Sequence, residues 1–173
     1  TDLSFRQVDP GDEVSVKLGM AHARPSEAAR LIDTVPPQDR ALWATALYAG
    51  LRRGELLALT WSDVDFDGGV IRVERAWDSV AGPIEPKSRS GRRVVPLSGT
   101  LRRYLVAHRR AQLAESGAFM FRTRAGRPFN PKVVVKRARK AWEASGLRPI
   151  GLHECRHTYA AFMIAAGVSP KAL

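Results

Sequence analysis

The chain has 173 residues, of which 45% are hydrophobic and 26% charged, and its formal net charge is +11. This length suffices for one domain that buries roughly 70% of its unfolded surface, so the fold requires neither a disulfide nor a metal. A single cysteine, Cys155, excludes an intramolecular disulfide, and no apolar run approaches the roughly 18 residues of a membrane span.

The first half of the chain is predicted to be helical after an irregular start. Residues 1–23 show no clear period and are predicted to be a tail or an interdomain linker, which leaves residues 24–173 as the domain. A first helix is predicted to begin at Pro25 and to end at Pro36-Pro37. Residues 38–49 predict a second helix that Gly50 closes, and residues 53–59 predict a short third one.

Three short strands are predicted next, at residues 70–77, 83–87 and 92–97, with a turn at residues 88–91 joining the last two. Helical periodicity then returns at residues 98–115, 130–145 and 152–166. The pattern predicts an α+β fold that is mainly α, in which helices accompany a small three-stranded antiparallel sheet.

The helix predicted at residues 130–145 has two distinct faces. A core-facing stripe runs from Val134 through Ala138 to Ala141 or Trp142. Another face carries four cations at helical spacing: Lys132, Lys136, Arg139 and Lys140. Because a solvated face normally mixes both signs of charge, a uniformly cationic one favours contact with phosphate.

Positive charge is concentrated in the middle of the chain. Residues 1–85 have a net charge of −5, whereas residues 86–140 hold 16 Lys and Arg against one acidic residue, a net +15. Such a block favours a polyanion such as a nucleic-acid backbone as its partner, with a basic surface that binds nothing as the alternative.

Residues 153–157 allow two interpretations. As His-x-x-Arg, they place His153 and Arg156 one helical turn apart, a pair suited to a phosphate. As His-Glu-x-x-His, they match the zinc signature of metallopeptidases. That signature needs a third ligand, and no His, Glu, Asp or Cys follows His157; the other histidines are His22 and His108. A zinc metallopeptidase therefore stays a remote alternative.

A second candidate anion site follows the glycine that ends the second helix. Arg52 lies at the start of the predicted third helix, where free backbone N–H groups also favour anions. Glu55, three residues on, is placed to hold a guanidinium by a charge-assisted hydrogen bond. Taken alone, this pattern is more typical of a surface arginine with a local ion pair.

Three segments together resemble those of the tyrosine recombinases (phage integrases), in the family's order and with similar spacing. Residues 50–65 are similar to the family's first-arginine box, residues 87–97 to its β-hairpin lysine segment, and residues 152–158 to its His-x-x-Arg box. Between the His and the Arg of that last box, Glu154-Cys155 replaces the usual acidic-Leu pair. The resemblance spans most of residues 24–173 and implies the catalytic domain of this family.

The resemblance also implies residue roles in a reaction that uses neither metal nor cofactor, in which a tyrosine cleaves DNA through a 3′-phosphotyrosyl intermediate. Arg52 and Arg156 match the two arginines that clamp the phosphate, and His153 matches the residue that assists proton transfer. Lys87 matches the lysine that protonates the leaving 5′ oxygen, and Glu55 a supporting carboxylate. Contacts to DNA are expected from seven cations: Arg89, Arg92, Arg93, Lys132, Lys136, Arg139 and Lys140.

The family's nucleophilic tyrosine has no expected match in this chain. Of Tyr48, Tyr104 and Tyr159, the last matches a family position that holds a packed core aromatic, so the nucleophile is expected beyond Leu173. The chain, which begins with Thr1 rather than Met, is thus expected to be an inactive, mainly monomeric fragment that binds double-stranded DNA. The whole protein is expected to be a cytoplasmic site-specific recombinase, tetrameric on paired DNA sites. The alternative is a non-catalytic, DNA-binding remnant of an integrase.

Overall fold

The computed structural model describes residues 25–78, 81–84, 92–113 and 117–168. The tail predicted at residues 1–23 and the hairpin turn predicted at residues 88–91 lie outside these ranges. Among the described residues, no helix combines the length and the apolarity that a membrane crossing requires.

The described helices are α1 (Pro25–Thr34), α2 (Pro37–Ala49), α3 (Arg53–Ala58), α4 (Gly99–Gln112), α5 (Pro131–Ala144) and α6 (Leu152–Ala165). The described strands are β1 (Val64–Asp65), β2 (Val70–Val73), β3 (Ala76–Asp78), β4 (Gly82–Ile84) and β5 (Arg93–Pro96). A single 3-10 turn, Trp61–Asp63, precedes β1.

Local signals in the sequence set the helix ends. Gly50 ends α2 in the left-handed region, at φ 61°, as the glycine predicted. The Ser98 hydroxyl accepts the Leu101 N–H at 3.3 Å and caps α4. The Asn130 side chain accepts from the backbone N–H of Lys132 at 3.0 Å and caps α5, whose first residue is a proline.

The fold class is confirmed, including a three-stranded antiparallel sheet, but the members of that sheet differ from those predicted. Its order is β1-β2-β5, with Ile71 of β2 opposite both Val64 and Val95. The single strand predicted at residues 70–77 was wrong, because the chain leaves the sheet at Glu74-Arg75 and continues as β3. At this break Arg75 Nη2 donates to Asp63 Oδ2 at 2.7 Å.

The predicted pairing of residues 83–87 with residues 92–97 was also wrong for the described strands. Instead β4 pairs with β3, where Trp77 lies opposite Pro83, and β5 pairs with β2. The ribbon of β3 and β4 packs on α3, where a Cβ added at Gly54 would lie 3.1 Å from the carbonyl oxygen of Trp77.

Helix α2 forms the centre of the core and is buried on almost every side. It packs against α1, α4 and α6. Trp43 of α2 meets Trp142 of α5 edge to face, with ring centroids 4.7 Å apart. Because α2 is fixed by its neighbours, its C-terminal end at Gly50 is a rigid point from which residues 51–55 are presented.

Candidate active site

Arg52, His153 and Arg156, which lie up to 104 positions apart in the sequence, line one cleft of about 1000 Å³. The cleft lies between the start of α3, the first three turns of α5 and the first turns of α6. Among the residues that the structure describes, the lining includes six Lys and Arg residues and no Asp or Glu: Arg52, Arg53, Lys132, Lys136, Arg139 and Arg156. An open space whose described charged residues are all cations is suited to an anion.

Arg52 stands immediately before α3, and its side chain is 60% exposed. Its backbone N–H donates to Glu55 Oε2 at 2.7 Å, and its Nη1 donates to Glu55 Oε1 at 3.2 Å. Glu55 thus caps the start of α3, three residues after Arg52. One guanidinium edge is used for this contact, and the side chain otherwise faces solvent.

Glu55 has a stronger partner in Arg93, which donates from Nη1 to Oε1 at 2.7 Å and from Nη2 to Oε2 at 2.8 Å. Burial would raise the pKa of Glu55, but the hydrogen bonds from Arg93 and from the Arg52 backbone bring that pKa below its ordinary value. Glu55 is therefore a carboxylate at neutral pH.

Arg93 was predicted to contact DNA, and its pairing with Glu55 was not predicted. The alternation of side chains along β5 could have indicated this pairing. Arg93 shares the inward face of β5 with buried Val95, while Val94 points outward and is 60% exposed. A charge on an inward strand face needs a partner. Whether Arg93 also contacts DNA stays a prediction.

Arg156 of α6 is half-buried, and its Nη1 donates to the carbonyl oxygen of Gly50 at 2.6 Å. Burial, and then the nearby guanidiniums of Arg52 and Arg93, lower the pKa of Arg156. Three guanidiniums therefore lie close together around one carboxylate. An anion in the cleft would relieve their mutual repulsion.

Gly50 allows this arrangement because α6 approaches it very closely. A Cβ added there would lie 2.2 Å from Cδ1 of Tyr159, and the residue has a positive φ of 61°. Only glycine meets both conditions without strain.

His153 is exposed in the first turn of α6. Its ring packs edge to face against that of His157, with ring centroids 4.5 Å apart. Burial, and then His153 and Arg156, lower the pKa of His157, which favours its neutral form. Glu154 accepts the Gly151 N–H at 2.6 Å and caps α6. In the described part of the chain, no three His, Cys, Asp or Glu side chains converge as a metal site would require.

The cationic face predicted for α5 borders the cleft through Lys132, Lys136 and Arg139, while Lys140 is exposed outside the cleft lining. Val134, Ala138 and Trp142 are buried, so Trp142 rather than Ala141 completes the core stripe. Arg92 is exposed before β5. Lys87 and Arg89 lie outside the described residues, so their roles stay predictions.

All three tyrosines of the chain are described, and none lines the cleft. Tyr159 packs on Gly50, and its burial raises its pKa. The Tyr104 hydroxyl donates to Asp33 Oδ1 at 2.9 Å, and burial together with this bond raises its pKa to about 12. Tyr48 stacks on Phe162, with ring centroids 6.4 Å apart.

Known structures show the same fold. The Tn1549 transposon integrase, solved in complex with transposon right end DNA, has a TM-score of 0.71 at 23% identity, over 88% of this chain and 56% of that one. The lambda integrase catalytic core has a TM-score of 0.61 at 20% identity, over 87% of this chain and 86% of that one.

Curated relatives are similar at the level of sequence. The "tyrosine recombinase XerC-like" protein of Caldanaerobacter subterraneus subsp. tengcongensis is 30% identical over 156 residues, 76% of this chain and 40% of that protein. Prophage integrase IntR of Escherichia coli (strain K12) is 30% identical over 171 residues, 84% of this chain and 41% of that protein. The chain thus spans about two-fifths of the length of these relatives. The sequence profile of the phage integrase family matches residues 22–173, and the chain belongs to this family.

Proposed function

We propose that the complete protein is a site-specific tyrosine recombinase that breaks and rejoins double-stranded DNA, and that this chain supplies most of its catalytic domain. The observation that carries the proposal is the placement of Arg52, Arg156 and His153 in one cleft, whose described lining contains no acidic residue. The names of the 30%-identical relatives, a tyrosine recombinase and a prophage integrase, support it. The Tn1549 integrase, whose fold is shared, was solved with DNA.

In the proposed reaction the cleft holds the scissile phosphate. Arg52 and Arg156 approach it from α3 and α6 and present planar donors to its non-bridging oxygens. Charge that develops on these oxygens in the transition state is met by groups already in place. Arginines with this task contribute about 10³–10⁵ in rate in other phosphoryl-transfer enzymes.

Proton transfer is assigned to two further residues. His153, exposed in the cleft beside Arg156, donates a hydrogen bond to a phosphate oxygen. It also assists the transfer of a proton from the attacking hydroxyl. Lys87 protonates the leaving 5′ oxygen, because an ammonium can release a proton whereas a guanidinium cannot.

The attacking tyrosine is proposed to lie beyond Leu173, since none of Tyr48, Tyr104 and Tyr159 lines the cleft. The complete protein then acts as a tetramer on paired DNA sites in the cytoplasm of a bacterium or a phage-infected cell, whereas this chain alone is a monomer. The same observation on the tyrosines favours the second candidate, a DNA-binding remnant of an integrase without cleavage activity.

The test uses the complete protein on a nicked duplex that traps the covalent intermediate. The wild type is expected to accumulate a protein–DNA adduct, and Arg52→Ala to reduce its rate by about 10³ or more while retaining most of the DNA affinity. Arg110→Ala removes an exposed arginine of α4 outside the cleft and serves as the matched control. DNA binding without an adduct in the wild type supports the remnant, and unimpaired cleavage by Arg52→Ala contradicts the clamp.

The isolated chain is expected to bind duplex DNA of any sequence, because residues 86–140 have a net charge of +15. Affinity should fall steeply between low and moderate salt, because binding releases counterions from the DNA and this release is less favourable at higher salt. Binding that is independent of salt would contradict a phosphate-based interface.

A further inference from the structure

We infer that Arg93 is a positioning residue, which occupies Glu55 and thereby keeps the guanidinium of Arg52 available to a phosphate in the cleft. The inference rests on the proposed function, since it assigns a purpose to the charge of Arg52. Arg93 itself is not among the residues that line the cleft.

Glu55 divides its two oxygens unequally between the two arginines. Arg93 forms a fork-to-fork pair with it, at 2.7 and 2.8 Å, the geometry of a strong charge-assisted contact. The Arg52 side chain makes one longer contact, at 3.2 Å, and remains 60% exposed. The side chains of Glu55 and Arg93 are only 7% and 25% exposed. The carboxylate is thus neutralised mainly by the arginine that does not reach the cleft.

Without Arg93, Glu55 would still be a buried carboxylate and would require a partner. The nearest cation is Arg52, whose Nη1 already lies 3.2 Å away. A small rotation would convert this single contact into a fork, because the guanidinium offers paired donors that match a carboxylate. Arg52 would then be neutralised and turned away from the cleft at the same time.

Arg93 also determines the local sum of charge. Arg52 and Arg93 lie close enough to Arg156 to lower its pKa, and Glu55 is the carboxylate beside them. Three cations against one anion leave an excess of two positive charges beside the cleft. Removing Arg93 would halve that excess, even before Arg52 moved.

The position of Arg93 in the chain gives this pairing a second consequence. Arg93 is the first residue of β5. The packing of β5 against Glu55 and the availability of Arg52 are therefore linked.

A double-mutant cycle on this chain separates positioning from direct contact. Duplex affinity is measured at fixed salt for the wild type, Arg52→Ala, Arg93→Ala and the double variant. Losing one charge-assisted contact is expected to weaken binding about tenfold for each single variant. The double variant should be only slightly weaker than Arg52→Ala, because Arg93 acts mainly through Arg52 and otherwise contributes only its more distant charge. Losses that multiply to about a hundredfold would show that Arg93 contacts DNA itself and would overturn the inference.

Changing Glu55 provides the readout that a merely structural ion pair would not give. Glu55→Gln should bind duplex more tightly than the wild type, since a neutral amide cannot capture Arg52. Adding Glu55→Gln to Arg93→Ala should restore most of the tenfold loss. If Glu55→Gln weakens binding as Arg93→Ala does, or gives no rescue, the pair is structural and the inference fails.

Folding is checked for each variant by circular dichroism, and Arg93→Lys, which cannot form the fork, replaces Arg93→Ala if the latter does not fold. A wild-type chain that binds no duplex overturns the proposed function itself, which distinguishes the two failures.

Discussion

Two buried carboxylates of this domain each pair with a distant arginine in fork geometry, yet their surroundings differ. Asp39 of α2 accepts from Arg137 Nε at 2.8 Å and from its Nη2 at 2.7 Å. Glu55 of α3 accepts an equally short pair of hydrogen bonds from Arg93. It also accepts hydrogen bonds from the backbone N–H and the side chain of Arg52.

The difference lies in stoichiometry. Asp39 and Arg137 neutralise each other one to one, which leaves a closed pair that ties α2 to α5. Glu55 faces two guanidiniums and leaves one of them, Arg52, on a cleft that none of the described carboxylates lines. The same interaction therefore stabilises the fold at one site and, at the other, leaves positive charge available to a ligand.

The largest expected effect is at Gly50, whose carbonyl oxygen accepts a hydrogen bond from Arg156. Arg156 belongs, with Arg52, Glu55 and Arg93, to the cleft cluster. Gly50→Ala meets both a positive φ of 61° and a contact of 2.2 Å with Tyr159, so we expect a loss of about 3 kcal/mol or more in the free energy of unfolding. Gly69→Ala is the matched control, because its φ is 66° and nothing lies within 4 Å of the added Cβ.

Urea denaturation measures both glycine variants. Gly69→Ala should lose about 1 kcal/mol, the cost of the backbone conformation alone. Equal losses for the two variants would show that the Tyr159 ring moves away from the added Cβ at little cost, and that the packing of α6 on Gly50 is not rigid.

A smaller effect is expected at Arg137, which belongs to the closed pair. Arg137→Ala leaves buried Asp39 without its guanidinium and should cost about 2 kcal/mol of stability, with duplex affinity changed less than by Arg52→Ala. Asp39→Asn combined with Arg137→Met should recover part of the loss, since no unpaired charge remains. A large loss of DNA binding in a folded Arg137→Ala variant would erase the distinction between the two clusters.

Some of these features follow from local sequence, and others do not. The end of α2 at Gly50 and the buried stripe of Val134, Ala138 and Trp142 were predictable, because each depends on neighbouring residues and helical period. The break between β2 and β3 was not predictable from a continuous run of strand formers. At that break Arg75 makes a tertiary contact with Asp63, twelve residues earlier.

The ion pairs show the same limit more clearly. Arg52 and Glu55 are three residues apart, so their contact could be anticipated from helix geometry. Glu55 and Arg93 are 38 residues apart, and Asp39 and Arg137 are 98 apart. Among 28 basic and 17 acidic residues, the choice of such partners is made by packing. Family resemblance supplied Arg52, His153 and Arg156 of the cleft, but neither Arg53, which also lines it, nor the arginine that balances Glu55.

The smallest expected effect is on the pH dependence of the free energy of unfolding, to which Glu55 contributes. Its folded-state pKa is below the ordinary value of 4.5, so its contribution to stability is present above about pH 4.5 and is lost as pH falls through the lowered pKa. Unfolding free energies between pH 3 and pH 7 should therefore decline less steeply at the acid end for Glu55→Gln than for the wild type. Identical pH profiles would mean that Glu55 has no special ionisation.

The most direct test of the claim that the cleft cluster, and not the closed pair, meets phosphate is a side-chain NMR titration. The arginine Nε–H signals of this chain are followed as a short DNA duplex is added. We predict saturable shifts for Arg52 and Arg156, with the Arg137 signal unchanged because its Nε–H already donates to Asp39. Binding of the duplex with Arg52 and Arg156 unmoved, or with Arg137 shifted as much as they are, would contradict the account.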